Sequence, residues 1–427
     1  MELSRRGFLG VSAGGFAQFA LHHRFDLFVP HAKSIIVLWM DGGPSQIDTF
    51  DPRPGRPTGG EFRAVDTSAE GLKFSEHLWR TAAHAHRMAV LRTVTSQEQD
   101  HVRAGYLLHT GYRQSGMVIH PGLGSIVSAE RGGREGVPGY VSIKSSQTIA
   151  LGREPGPGFL GPEHAPFVIG DARRPDETLR ALDPTVRERM SLLEDLNREF
   201  HADHSGENID KRKTFHRLAK DLKDSVFARA LDLRDESAET VARYLGENNG
   251  KKTDAYGRSV PSTQFGYGCL VARRLVESGV RFVEVGLGGW DTHADNFSQT
   301  ASLCGMLDPA MSALFHDLER RGLLDETVVV WMGEFGRTPD INGGKGRDHW
   351  PTGFSVVLGG GGVQGGRSFG ELDPDGKEIQ KDPVRVQDLF ATLCVLLGID
   401  PDKRFLSHST GTVRLTDHGV PVKSVYL

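Results

Sequence analysis

Residues 280–293 read Val-Arg-Phe-Val-Glu-Val-Gly-Leu-Gly-Gly-Trp-Asp-Thr-His, an apolar run that meets two glycines and then an aspartate and a histidine two positions apart. A buried strand that ends in a glycine hinge and then offers a carboxylate and an imidazole is how an open α/β sheet presents metal ligands at its carboxyl edge. The pattern recurs. Thr327–Met332 (TVVVWM) runs into Gly333-Glu334-Phe335-Gly336-Arg337, and Gly346-Arg347-Asp348-His349-Trp350 follows soon after. Asp291, His293, Glu334 and His349 are therefore candidate ligands. Adjacent residues in extended chain point in different directions, so only one of Asp348 and His349 is expected to bind, and His349 is preferred. Such a mix of carboxylates and imidazoles suits a divalent ion: zinc, manganese or calcium.

Lys33–Met40 (KSIIVLWM) is almost unbroken apolar sequence and reads as a buried central strand. Asp41 at its tip is a further candidate ligand, with Asp48 and Asp51 as alternatives. Ser45 follows a Gly-Gly-Pro turn and reads as a turn residue sooner than as a nucleophile. His101, beside Asp100 at a helix start, is placed for acid/base chemistry or ligation. Arg337 either pairs with Glu334 or holds an anionic group bidentately.

Outward from these points, helices are expected at Arg103–Thr110, Leu123–Glu130, Gln264–Ser278, Ser302–Arg321 and Arg385–Leu397, and a strand at Phe354–Leu358. Alternation of strands and helices implies a mainly parallel sheet covered on both faces. Leu78–Ala89 reads as helical, with Met88–Val94 leading into a loop. The Gly- and Pro-rich stretch from Ser145 to Pro175 is expected to lie over one edge. Phe215, Leu218, Leu222 and Val226 recur at helical spacing, so a helical insert is expected at about 176–246 within a single domain spanning 33–427.

The chain has 427 residues, 25% of them charged and 38% hydrophobic, which calls for a globular core. A net charge of -4 gives no electrostatic case for nucleic acid or an anionic membrane. Cys269, Cys304 and Cys394 are isolated, so neither a disulfide framework nor a zinc finger is supported; each reads as a small buried apolar residue. The amino terminus carries Ser4-Arg5-Arg6-Gly7-Phe8-Leu9 and then a weakly apolar stretch, Gly10–Leu21. That order matches a twin-arginine export signal occupying about residues 1–32. The apolar stretch is too short for a membrane span, which needs about 20 apolar residues.

Several segments together resemble one known family. They are Gly42-Gly43-Pro44-Ser45 with Asp48-Thr49-Phe50-Asp51-Pro52, Ala255-Tyr256-Gly257-Arg258, Ala272–Val285, Gly289–His293, and Gly333–Pro339 with Gly346–Trp350. They look like the exported bacterial family called domain of unknown function 1501, over about residues 33 to 425. That family is in turn similar to sulfatases and the alkaline phosphatase superfamily, whose members hydrolyse phosphate or sulfate esters at a metal site above a parallel sheet. The resemblance implies a three-layer α/β sandwich of the alkaline phosphatase type. Met332–Gly336 looks like a metal-binding strand end of those enzymes, and His101–Gly111 like the sulfatase signature. His101 stands where sulfatases carry the cysteine that becomes formylglycine, and the signature's Pro and Arg are missing, so formylglycine chemistry is not expected.

The expectation is thus an exported hydrolase of phosphate or sulfate esters in small molecules or polymers. One or two divalent ions would be held by Asp41, Asp291, His293, Glu334 and His349. His101 would serve as nucleophile or acid/base, and Arg337 or Arg103 would hold the anionic group. The alternative is a non-catalytic metal- or ligand-binding protein that keeps the fold.

Overall fold

A computed structural model of the protein describes residues 32–116, 118–144, 155–180, 225–246, 251–253, 259–261, 263–407 and 411–427. Its centre is a nine-stranded sheet, with strands numbered here in chain order. They are β1 (Ser34–Asp41), β2 (Met88–Thr95), β3 (Tyr140–Ile143), β4 (Phe167–Ile169), β5 (Phe282–Gly288), β6 (Thr327–Met332), β7 (Thr352–Gly360), β8 (Arg367–Phe369) and β9 (Val384–Arg385). The order is β8-β2-β7-β6-β1-β5-β3-β4, with β9 also paired to β2. β7 runs antiparallel to both neighbours, and every other pairing is parallel.

β1 and β6 are buried along their whole length, as the unbroken apolar runs require of central strands. Alternation of side chains makes two cores. Ile36, Leu38, Val283, Val285 and Trp331 pack with helices α4 (Gln264–Ser278) and α5 (Asn296–Arg320) on one face. Val37, Trp39, Phe282 and Glu284 line a cavity on the other face with α1 (His101–Thr110), α2 (Leu123–Arg131) and α6 (Val386–Leu396). The amphipathic α3 (Ala238–Leu245) packs on α4 and α5. The result is the expected three-layer α/β arrangement with a mainly parallel sheet. All three cysteines are buried and free.

Two expectations fail at β2. Only Trp79–Ala82 of the supposed Leu78–Ala89 helix is α-helical, and Met88–Val94 is a sheet strand. Four of the six residues in Val-Leu-Arg-Thr-Val-Thr are β-branched and most of the strand is buried, so pairing with β7 overrides a weak helical period. Within the Gly- and Pro-rich stretch, Phe167–Ile169 adds the edge strand β4. Most of the expected insert, residues 181–224 with Phe215, Leu218 and Leu222, lies outside the described residues, as do residues 254–258.

In-register parallel pairing brings strand ends together. Asp41 of β1 stands opposite Gly288 of β5, and Trp39 opposite Met332 of β6. The loops that follow β1, β5 and β6 therefore leave the sheet side by side. That is where the candidate ligands collect.

Candidate metal centre

The loop after β5 turns back over the end of β1, with Trp290 N–H donating to Asp41 O at 3.2 Å. Gly42 permits this approach: it sits at φ +113°, and a Cβ there would come within 2.5 Å of Asp291 N. The loop Asn342–Arg347 is stitched onto the same segment. Asn342 Nδ2 donates to His293 O at 2.9 Å, and Arg347 N–H to Thr292 O at 3.1 Å. A Cβ on Gly346 would overlap His293 O at 1.8 Å, so only glycine fits there. A short hairpin pairs Arg337 with His349.

Three imidazoles converge on Asp291. His293 Nε2 lies 3.1 Å from Asp291 Oδ1, and His101 Nε2 and His349 Nε2 each lie 3.4 Å from it. His293 Nε2 is also 3.0 Å from His349 Nε2. Among the described residues, His101, Asp291 and His349 form a group whose ligand atoms all lie within 4.8 Å of one another. His293 adjoins it on the open side, with its side chain 45% exposed.

The other ring nitrogen of each histidine has a partner that can only accept. His101 Nδ1 is 2.7 Å from Glu334 Oε1, His293 Nδ1 is 2.7 Å from Asp348 Oδ1, and His349 Nδ1 is 2.7 Å from the Gln99 carbonyl. Carboxylate and carbonyl oxygens carry no proton, so each Nδ1 must donate. The three Nε2 atoms therefore face one another and a carboxylate, an arrangement that calls for a proton or a metal ion among them. This anchoring of the outer nitrogen by a carboxylate or carbonyl is the pattern that orients histidine at metal sites.

Electrostatics agree. Burial opposes a charge on His101, but hydrogen bonds to Asp291 and Glu334 outweigh it and raise its pKa to about 9. Burial also opposes the Asp291 charge, yet hydrogen bonds from His101 and His349, with the Arg337 guanidinium, hold that carboxyl far below the usual range. The His293 hydrogen bond keeps Asp348 below its ordinary value. In the metal-free protein a proton on His101 occupies the cationic role. Its folded pKa of about 9 exceeds the ordinary 6.5, so its stabilising contribution is complete below pH 6.5 and lost as pH rises through 9. Thermal melts of chelator-treated protein across that window should fall with pH, and His101→Gln should flatten the fall; parallel profiles would sink the assignment.

Glu334 is fully buried. Its Oε1 also accepts from Gly42 N–H at 2.9 Å, and its Oε2 has no hydrogen-bond partner among the described residues. It thus stands behind His101, not beside Asp291. Asp41, fully buried at the end of β1, is not a member of the converging group.

The anion-holding role expected of Arg337 does not fit its surroundings. The side chain is 0% exposed. Its guanidinium donates to Asp291 Oδ1 at 2.6 Å, Gly43 O at 2.9 Å, Arg347 O at 3.2 Å and the Gly42 carbonyl. Burial lowers its pKa, with Asp291 opposing. A guanidinium walled in by carbonyls fixes Asp291 and has no face left for a substrate. His101, expected to be catalytic, is instead grouped with the ligand atoms.

The alternatives Asp48 and Asp51 have other partners. Asp48 takes Arg347 bidentately at 2.7 and 3.1 Å, both side chains fully buried, and Asn296 Nδ2 at 2.8 Å. Asp51 pairs with Arg92 at 3.0 Å. Ser45 is buried, and its Oγ accepts from Asp48 N–H at 3.2 Å. It is a turn residue.

Comparison with known proteins decides the family. A model of the family described as "Protein of unknown function (DUF1501)" matches residues 32–426. The chain belongs to this family. No curated protein matches it in sequence. Solved structures to which this DUF1501 protein is similar include the lipoteichoic acid synthase LtaP from Listeria monocytogenes. That match has 8% identity and a TM-score of 0.38, covering 90% of this chain and 74% of the other. The PsFucS1 sulfatase from Pseudoalteromonas sp. is 12% identical at a TM-score of 0.36, over 93% of this chain and 72% of that one. Alkaline phosphatase from the Antarctic bacterium TAB5 is 14% identical at 0.34, over 86% and 99%. At these scores no residue role passes from them to this DUF1501 protein.

Sequence reading missed the outer acceptors. Asp348 follows directly from its place beside His349 and was available as a signal. The Gln99 carbonyl leaves no trace in sequence, since any residue supplies one.

Proposed function

We propose that the protein is a metal-dependent hydrolase of phosphate or sulfate esters. Its ion would be held by His101 Nε2, Asp291 Oδ1 and His349 Nε2, with His293 Nε2 joining from the exposed side. One observation carries this reading: three imidazoles, each with its Nδ1 against an accepting oxygen, turn their Nε2 atoms onto a single carboxylate oxygen. The separations of 3.0–3.4 Å between those atoms match the about 2.9–3.4 Å expected between adjacent donors when bonds are about 2.0–2.1 Å. Nitrogen-rich donors favour zinc over manganese and over calcium, which takes six to eight oxygens.

When bound, the ion supplies Lewis-acid polarisation of an ester oxygen. The chain's own residues supply the rest. Glu334 and Asp348 hold the His101 and His293 rings in one tautomer. Arg337 fixes Asp291 against the Gly42–Gly43 turn. Phe335, its ring centroid 4.4 Å from that of His349 and 5.0 Å from that of His101, walls the ligand rings on one side. Among the described residues no Ser, Thr or Cys joins the converging side chains, which fits water as the nucleophile.

The test is a screen of aryl phosphates, phosphodiesters and aryl sulfates with zinc, manganese or calcium added to chelated protein. Turnover that requires metal and disappears in His101→Ala supports the hydrolase. A protein that retains metal yet turns over none of these esters fits the non-catalytic binder.

We also propose that the protein is exported by the twin-arginine machinery to the periplasm or beyond. Ser4–Leu9 supports this, and these residues lie outside the described ones. Among the described residues no helix is long and apolar enough to cross a membrane. Replacing Arg5 and Arg6 together by lysine should leave the protein in the cytoplasmic fraction; unchanged fractionation would refute the assignment.

A further inference from the structure

The link between β2 and α1 carries a charged group that the proposed metal site does not use. Glu98 is buried, and both its oxygens are taken by arginine Nε atoms: Oε2 by Arg103 at 3.1 Å and Oε1 by Arg113 at 2.8 Å. Both arginine side chains are 58% exposed. Among the described residues their Nη groups donate to nothing. One buried carboxylate thus grips two guanidiniums by their inner edges, and no other described residue takes their outer edges. Asp100, the other acid nearby, is engaged as the N-cap of α1, accepting from Arg103 N–H at 3.1 Å.

The position of this cluster matters as much as its charge. Glu98 precedes His101 by three residues, so their Cα atoms are at most about 10 Å apart by chain reach. Between them, Gln99 holds His349 through its carbonyl. Glu98, the carboxylate that holds both guanidiniums, therefore lies on the same short segment that supplies one ligand and anchors another, and Arg113 reaches it from beyond the far end of α1. A planar guanidinium with both Nη groups unengaged matches phosphate and sulfate oxygens. Two of them fixed by one carboxylate lose little side-chain freedom on binding.

We propose that Arg103 and Arg113 form a second anion subsite, which holds a charged group of the substrate beside the group bound at His101, Asp291 and His349. The substrate class would then be a multiply charged phosphate or sulfate ester, such as a polyanionic oligomer, in place of an isolated monoester. The subsite rests on the cluster itself; only its role in substrate choice rests on the hydrolase reading.

Binding to the full-length protein is measured by calorimetry with three probes: long-chain inorganic polyphosphate, dextran sulfate and inorganic phosphate. The wild type should bind one of the polymers more tightly than phosphate, and the polymer preferred tells phosphate from sulfate chemistry. The Arg103→Gln/Arg113→Gln pair should lose about ten-fold or more in that affinity, while zinc binding is retained. If that pair fails to fold, Arg103→Lys/Arg113→Lys keeps charge beside Glu98 and should weaken binding in the same direction. Unchanged polymer affinity in the variants, or no polymer binding by wild type, overturns the subsite. Polymer binding that depends on the arginines in a protein that takes up no zinc would instead overturn the hydrolase reading and leave the subsite standing.

Discussion

Alanine at Asp291 or His349 is expected to abolish stoichiometric zinc binding, and with it any metal-dependent ester hydrolysis. Asp291 Oδ1 is the atom on which all three imidazoles converge, at 3.1–3.4 Å. Its removal leaves three Nε2 atoms with no anion among them. The loss should exceed the about 10–100-fold that removing an outer hydrogen-bond partner costs at metal sites. Asp348→Ala provides that comparison, because the Asp348 carboxylate anchors His293 Nδ1 and Asn342 Nδ2 from outside the ligand group. Competition with a chelator of known zinc affinity, with metal content measured on the same samples, gives both numbers. Full zinc retention by Asp291→Ala would end the proposal. A smaller loss at Asp291 than at Asp348 would show that the ligands have been chosen wrongly.

Asp48→Ala is expected to destabilise the protein by about 3–5 kcal/mol, the usual cost of breaking a buried ion pair by removing one partner. Asp48 and Arg347 are both 0% exposed and joined bidentately. Removing the carboxylate strands a buried guanidinium, which keeps only the carbonyls of Thr58, Thr338 and Pro339. Domains have about 5–15 kcal/mol of stability in all, so the variant should be poorly folded at growth temperature. Urea unfolding of the purified variant measures it. A loss under about 1 kcal/mol would mean that the pair is solvated, because exposed pairs are worth that little. Because Arg347 also tethers Thr292 and immediately precedes Asp348 and His349, zinc affinity should fall along with stability.

These two aspartates show how far sequence reading reaches. Asp48 and Asp291 are both acids in glycine-flanked loops after apolar strands, and sequence prefers Asp291 only for the histidine two positions on. One is a proposed ligand, the other a strut. What separates them is which partner the tertiary fold delivers: three imidazoles to Asp291, one buried guanidinium to Asp48. Arg337 makes the same point. Its spacing from Glu334 fits an anion holder, yet the carbonyls of Gly42, Gly43 and Arg347, two of them almost 300 residues away in sequence, close over it.

The sequence by itself determined the central strands, because nearly unbroken apolar runs such as Lys33–Met40 and Thr327–Met332 are stable only when buried on both faces. It also determined that the candidate ligands sit in loops at the carboxyl ends of those strands, because glycines break each run at that point. The fate of Met88–Thr95 was left to tertiary structure, since pairing with a distant strand outweighs local helical preference. Tertiary structure alone decided which acids and imidazoles meet. Parallel register sets neighbouring strand ends side by side, and hydrogen bonds across hundreds of residues then fix the orientation of each ring.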